Sequence, residues 1–135
     1  MSEIAAYEYL ESPNPTWSRS VTDAMHLFAG MPNEMSVSFN PYLGQYLAVH
    51  SLDLTGQIVG RTAPAPWGPW SEPITLWTVR PSPSHSLPYP QLIYAGKEHP
   101  ELSTAAGRVL YLTYIEFEEY YPHLVEVTLR NSVLL

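Results

Sequence analysis

Covalent chemistry in this chain would fall to its carboxylates: 11 Glu and two Asp, Asp23 and Asp53, stand against six Lys and Arg. Acid–base cleavage of a bond can use two carboxyl groups, one as general acid and one as general base. Glu34 is the best candidate for one of them, because it stands directly before an alternating segment and so at the mouth of whatever that strand lines. The bland alternative is an exposed loop Glu beside Asn33. His99 follows Gly96-Lys97-Glu98 and precedes Pro100. A neutral imidazole is a good ligand and hydrogen-bond partner, although the same ring could merely fix its loop by bonding backbone. Glu98 and Glu101 flank it as supporting partners or as solvated groups. Trp67, Trp70 and Trp77 offer flat apolar faces on which a sugar could stack. Pro66, Pro69 and Pro73 place the first two on a rigid turn, where packing between sheets is the stronger reading. Arg61 reads as structural, pairing with Glu72 or with backbone carbonyls. Glu116, Glu118 and Glu119 form a charge run of the kind found at a solvated hairpin end. His26, His50, His85 and His123 show no metal-ligand spacing. No P-loop, dinucleotide Gly-rich fingerprint, Gly-x-Ser-x-Gly or His-Glu-x-x-His occurs.

Strands must position these groups. Met35, Val37 and Phe39 alternate with Ser36, Ser38 and Asn40, the period of a half-buried strand. Asn40-Pro41-Tyr42-Leu43-Gly44 supplies a turn, with φ fixed at Pro41 and positive φ open to Gly44. Gln45–His50 is the returning strand. Gln57–Thr62 follows a turn at Thr55-Gly56, and Ile74–Val79 is apolar and β-branched. Ala63–Pro73 holds too much Pro for a ladder. Four short antiparallel strands in about 45 residues make the size of one propeller blade. Arg80–Pro90, rich in Pro and Ser, is a surface connection. Gln91–Tyr94 is a short inner strand, and Val109–Phe117 and Leu124–Leu129 complete a group of three. Upstream, Ile4–Leu10 is a strand with no hairpin partner in sequence, and Val21–Phe28 is open between a short helix and an irregular strand. The expected fold is all-β, with antiparallel blades of a partial propeller as a single unit over residues 1–135. A self-contained small β-sandwich is the alternative.

Composition sets the outer limits. The 135 residues suit one domain, and 45% hydrophobic content argues against wholesale disorder. Charged residues are only 14%, while ten Tyr and 14 Pro favour short strands and tight turns over long solvated helices. A net charge of −7 speaks against nucleic acid and against an anionic membrane surface as partners. Zero Cys excludes disulfides, thiolate nucleophiles and zinc fingers. Met1–Leu10 carries Glu3 and Glu8 and shows no basic region or apolar run of an export signal.

Three strings add a family resemblance. They are Glu34-Met35-Ser36-Val37-Ser38-Phe39-Asn40-Pro41-Tyr42-Leu43-Gly44, Arg61-Thr62-Ala63-Pro64-Ala65-Pro66-Trp67-Gly68-Pro69-Trp70-Ser71-Glu72-Pro73, and Tyr94-Ala95-Gly96-Lys97-Glu98-His99-Pro100-Glu101-Leu102. With Tyr7–Leu10 and Trp17-Ser18 they resemble the C-terminal part of the family catalogued as domain of unknown function 4185, over roughly Tyr7–Leu129. The resemblance implies a five-bladed β-propeller of the sialidase and arabinanase kind, some members being endo-D-arabinanases. It implies an extracellular glycoside hydrolase acting on arabinan-like polysaccharide, of which this chain is a C-terminal portion inactive on its own. Glu34 would then be catalytic; His99, Glu98, Trp67 and Trp70 would touch sugar. His99 would also be a metal ligand, with a divalent cation such as calcium at the propeller axis. The partners implied are polysaccharide or oligosaccharide. Uncovered sheet faces and an open edge add homo-oligomerisation, through Leu124–Leu129 or the face around Trp67 and Trp70. The alternative function is a non-catalytic glycan-binding or self-associating module.

Overall fold

The computed structural model describes residues 6–30, 34–80, 88 and 91–130. Nine strands form three antiparallel sheets of two, four and three strands, and no α-helix occurs among the described residues. The fold is all-β, as the alternation of residue types requires.

The four-stranded sheet follows chain order: β3 (Ser36–Asn40), β4 (Gln45–Ser51), β5 (Gln57–Ala63) and β6 (Ile74–Thr78). Its first hairpin is closed by the turn chemistry read from sequence. Gly44 adopts φ 64° and donates its N–H to the Asn40 carbonyl, while the Asn40 side chain accepts from Leu43 N at 3.0 Å. Ala63, expected in the Pro-rich connection, is the last residue of β5 and pairs with Tyr46, while residues 64–73 form no ladder; Ser71 ties this stretch back to Thr62 through N–H and hydroxyl.

The three-stranded sheet consists of β7 (Ile93–Glu98), β8 (Val109–Glu116) and β9 (Pro122–Thr128). Here the expected boundaries shift. The inner strand expected over Gln91–Tyr94 runs on to Glu98, because Ala95 and Gly96 form a bulge between the Tyr94–Ile115 and Lys97–Thr113 pairs. The last strand starts at Pro122, two residues before the expected Leu124, since a Pro can open an edge strand.

Upstream, Ile4–Leu10 does not stand as a partnerless strand. The described strand is β1 (Tyr9–Ser12), and it pairs with β2 (Thr16–Ser18) across Pro13-Asn14-Pro15. Val21–Asp23 forms one 3₁₀ turn, and the chain to Phe28 is irregular. Ile4 and most of the Arg80–Pro90 connection lie outside the described residues.

The larger sheets pack face to face. Leu47, Val49, Ile58, Ile93, Leu110, Leu112 and Tyr114 form the core cluster together with Val79 and Leu129. The register explains the choice of face: Val49 pairs with Gly60, and Ser51 with Ile58, so these residues share one side of the sheet. The opposite side carries Ala48, His50, Val59, Arg61 and Ala63, also buried. Phe28 covers part of it, stacked on His50 at 5.3 Å and under the Arg61 guanidinium at 4.8 Å. The sheets come close together at Gly96. A Cβ there would lie 2.7 Å from Ile58 Cδ1 and 2.9 Å from Ser51 N.

Candidate functional site

The β7 bulge decides where the Gly96-Lys97-Glu98-His99 side chains go. Ala95 takes φ 56°, a left-handed conformation that a residue with a Cβ rarely adopts. Beyond it the strand alternates: Glu98 turns inward between the sheets, and Lys97 turns to the outer face beside Thr113. His99 follows on that outer side, with its N–H bonded to the Tyr111 carbonyl.

On this outer face Glu34, Met35, Ala95, Lys97, His99, Thr113, Ile115 and Pro122 line an open groove of about 610 Å³. Glu34 arrives from the segment leading into β3, also with a left-handed backbone at φ 58°. Two of the groove's residues are therefore held in a conformation that costs about 1–3 kcal/mol each, a kind of strain that gathers at functional sites. Glu34 and His99, 65 residues apart in sequence, share this one groove.

His99 is fixed at both ring nitrogens. Nδ1 lies 3.0 Å from Glu101 Oε1 and Nε2 lies 2.8 Å from Thr113 Oγ1. A carboxylate only accepts, so Nδ1 carries the proton and Nε2 accepts from the Thr113 hydroxyl in the neutral ring. The Glu101 carboxyl sits below the usual carboxylate range, chiefly through a hydrogen bond to its own backbone and then through His99. Among the described residues no three metal-ligating groups converge at His99. Its surroundings do not fit a cation; with both nitrogens engaged, the ring is placed as a hydrogen-bonding group of the groove wall.

The other expected contacts lie elsewhere. Glu98 is 3% exposed and accepts from Ser38 Oγ at 3.1 Å, while its N–H donates to Ser36 Oγ. Burial pushes its carboxyl above the usual value, and the Ser38 bond opposes this only in part. Glu98 thus joins β7 to β3 and faces a separate cleft with Asn40 and Gly107. Trp67 meets Trp17 edge to face at 6.3 Å, and Trp70 meets Phe28 at 5.8 Å. Both rings are half-buried in aromatic contacts away from the groove. Trp70 Nε1 is buried with no hydrogen-bond partner. Arg61 donates to the Ser71 carbonyl and to His50 Nε2, in keeping with its structural reading. Burial lowers the His50 pKa and Arg61 reinforces this, although the bond to the Ser51 carbonyl acts the other way.

Sequence spacing missed one constellation. Glu116, Glu119 and His123 converge at the β8–β9 hairpin, with ligand atoms all within 4.8 Å of one another. Glu116 sits above the usual carboxylate value, first through burial and then through the nearby charge of Glu119. The turn folds a linear charge run onto the start of the next strand, which no helical or Cys/His spacing signals. The one hint is that strand pairing sets His123 opposite Tyr114, two residues from Glu116.

The family described as Domain of unknown function (DUF4185) matches residues 1–126. No curated protein matches the chain.

Proposed function

The chain belongs to the DUF4185 family, and on that premise we propose that it is part of a carbohydrate-active β-propeller. In this reading the groove over β7 forms one wall of a sugar-binding funnel, and the substrate class is an arabinan-like polysaccharide. The observation that carries it is the meeting of Glu34 and His99 in one groove with Lys97 and Thr113. In this reading Lys97 and the Thr113 hydroxyl oxygen would hydrogen-bond sugar hydroxyls, and His99, held by Glu101, fixes the Thr113 hydroxyl for that task. Glu34 supplies one of the two carboxyl groups that glycoside hydrolysis requires. Its partner carboxylate would come from elsewhere in the intact protein.

One observation favours a second reading. Among the described residues Glu34 is the single carboxylate lining the groove, which also suits a non-catalytic glycan-binding module. Calorimetric titration with arabino-oligosaccharides tests what both readings share. We expect saturable binding that His99→Ala weakens about tenfold or more, the loss of a hydrogen-bonding group left without its partner. Glu34→Gln should keep most of that affinity if Glu34 acts on the bond instead of holding the sugar. No binding heat, or full affinity in His99→Ala, would remove the groove from consideration.

A further inference from the structure

The Glu116, Glu119 and His123 cluster lies on the inward side of the three-stranded sheet, opposite the groove of Glu34 and His99. Its donors are a mixed set: an imidazole nitrogen and two carboxylate oxygens. His123 Nε2 and Glu119 Oε2 are 3.1 Å apart, and all three ligand atoms lie within 4.8 Å of one another. Ligands at about 2.0–2.2 Å from one zinc ion stand about 3–4 Å from each other. The His123–Glu119 pair already has that spacing, and the Glu116 oxygen lies within 4.8 Å of both.

Three further observations separate this cluster from a patch of surface acids. Glu116 is 7% exposed, and no Lys or Arg forms an ion pair with it among the described residues. Gln91 Nε2 donates to Glu116 Oε2, the kind of outer partner that orients a ligating carboxylate. The His123 ring is stacked on Tyr114 with centroids 4.9 Å apart and planes 10° from parallel, which holds its edge toward the two carboxylates. Glu116 and Glu119 repel one another at this range, and a divalent cation between them would offset that repulsion.

We infer that Glu116, Glu119 and His123 form a binding site for a divalent first-row metal ion, zinc by its donor set, which staples the end of β8 to the start of β9. Calcium fits less well, since it takes six to eight oxygen ligands and this set offers two oxygens and a nitrogen. Three protein ligands leave a further position on the ion open to water or to a ligand entering the adjoining cleft of Trp77, Arg80 and Tyr114. The inference does not rest on the sugar-binding proposal.

The test is calorimetric titration of chelator-treated protein with zinc chloride. One ion should bind per chain, and Glu119→Gln and His123→Asn should each weaken it about tenfold or more. His99→Asn and His85→Asn should leave the affinity unchanged. Because a hairpin variant could lose its fold, a second measurement uses the unaltered chain. Substoichiometric manganese should broaden amide resonances centred on residues 116–123. Absence of saturable binding, undiminished affinity in Glu119→Gln and His123→Asn, broadening centred on another histidine, or saturation by calcium but not zinc would each overturn the assignment.

Discussion

Glu34 and Glu98 carry the same side chain into opposite surroundings. Glu34 is exposed at the groove, whereas Glu98 is buried against Ser38 with its pKa raised by desolvation. A carboxyl whose folded pKa exceeds its unfolded value near 4.5 binds more protons in the folded state. Its stabilising contribution is complete below that unfolded value and is lost as pH rises through the folded pKa. We therefore expect Glu98→Gln to flatten the fall in urea midpoint from acidic to neutral pH; an unchanged profile would assign the slope to another group. Gly96 makes a steric prediction. An added methyl would meet Ser51 N and Ser51 Oγ within 3 Å, and backbone cannot yield as a side-chain tip can. Gly96→Ala should cost about 1–3 kcal/mol by denaturant unfolding, the usual range for overpacking. Sequence alone flagged Gly96, Glu98 and His99 as one motif. It could not divide them between a sheet seam and an open groove, because a single bulge at Ala95 sets which side each one faces.

The strands of the four-stranded sheet were legible because two local signals agreed: a period-two pattern and turn residues at each end. Asn40 shows how closely the turn is tied to the rest of the fold. Its Nδ2 donates to the Gly107 carbonyl at 2.8 Å, and its Oδ1 accepts from Leu43 N. Asn40→Ala would leave both backbone groups without their partner at a site only 2% exposed. A loss of about 1–3 kcal/mol is expected, read from the thermal or urea midpoint. Where the signals disagreed, the sequence reading went astray. Pro13 and Pro15 hid the β1–β2 hairpin, whose strands are only four and three residues long. The expected inner strand ends at Tyr94, yet Gly96 lies inside β7, where the facing sheet leaves no room for a side chain. The groove was legible only as separate residues. That Glu34 and His99 line one groove depends on how the lead into β3 lies against β7, a non-local arrangement with no sequence period.

At the scale of the whole molecule, the sheets leave apolar surface and strand edges open. Val37 and Phe39 are exposed on β3, and β9 is an edge strand with Leu124 59% exposed. Trp67 and Trp70 are engaged with Trp17 and Phe28, which leaves the β9 edge as the more open of the two surfaces considered for association. Light scattering at micromolar concentration should show an oligomer, and Leu124→Lys should shift it toward monomer, as a charged edge does. A wild-type monomer would speak against that prediction and for sheets that close their own core. The chain alone should not hydrolyse arabinan, because among the described residues its groove is lined by one carboxylate and the reaction needs two. Turnover that disappears in Glu34→Gln would show that no further part of the protein is required. The central claim is that the groove over β7 receives sugar, and a residue-resolved NMR titration with an arabino-oligosaccharide tests it most directly. The account predicts shifts centred on the amides of Glu34, Ala95, Lys97, His99 and Thr113. Shifts confined to the indole signals of Trp67 and Trp70, or none at saturating sugar, would contradict it.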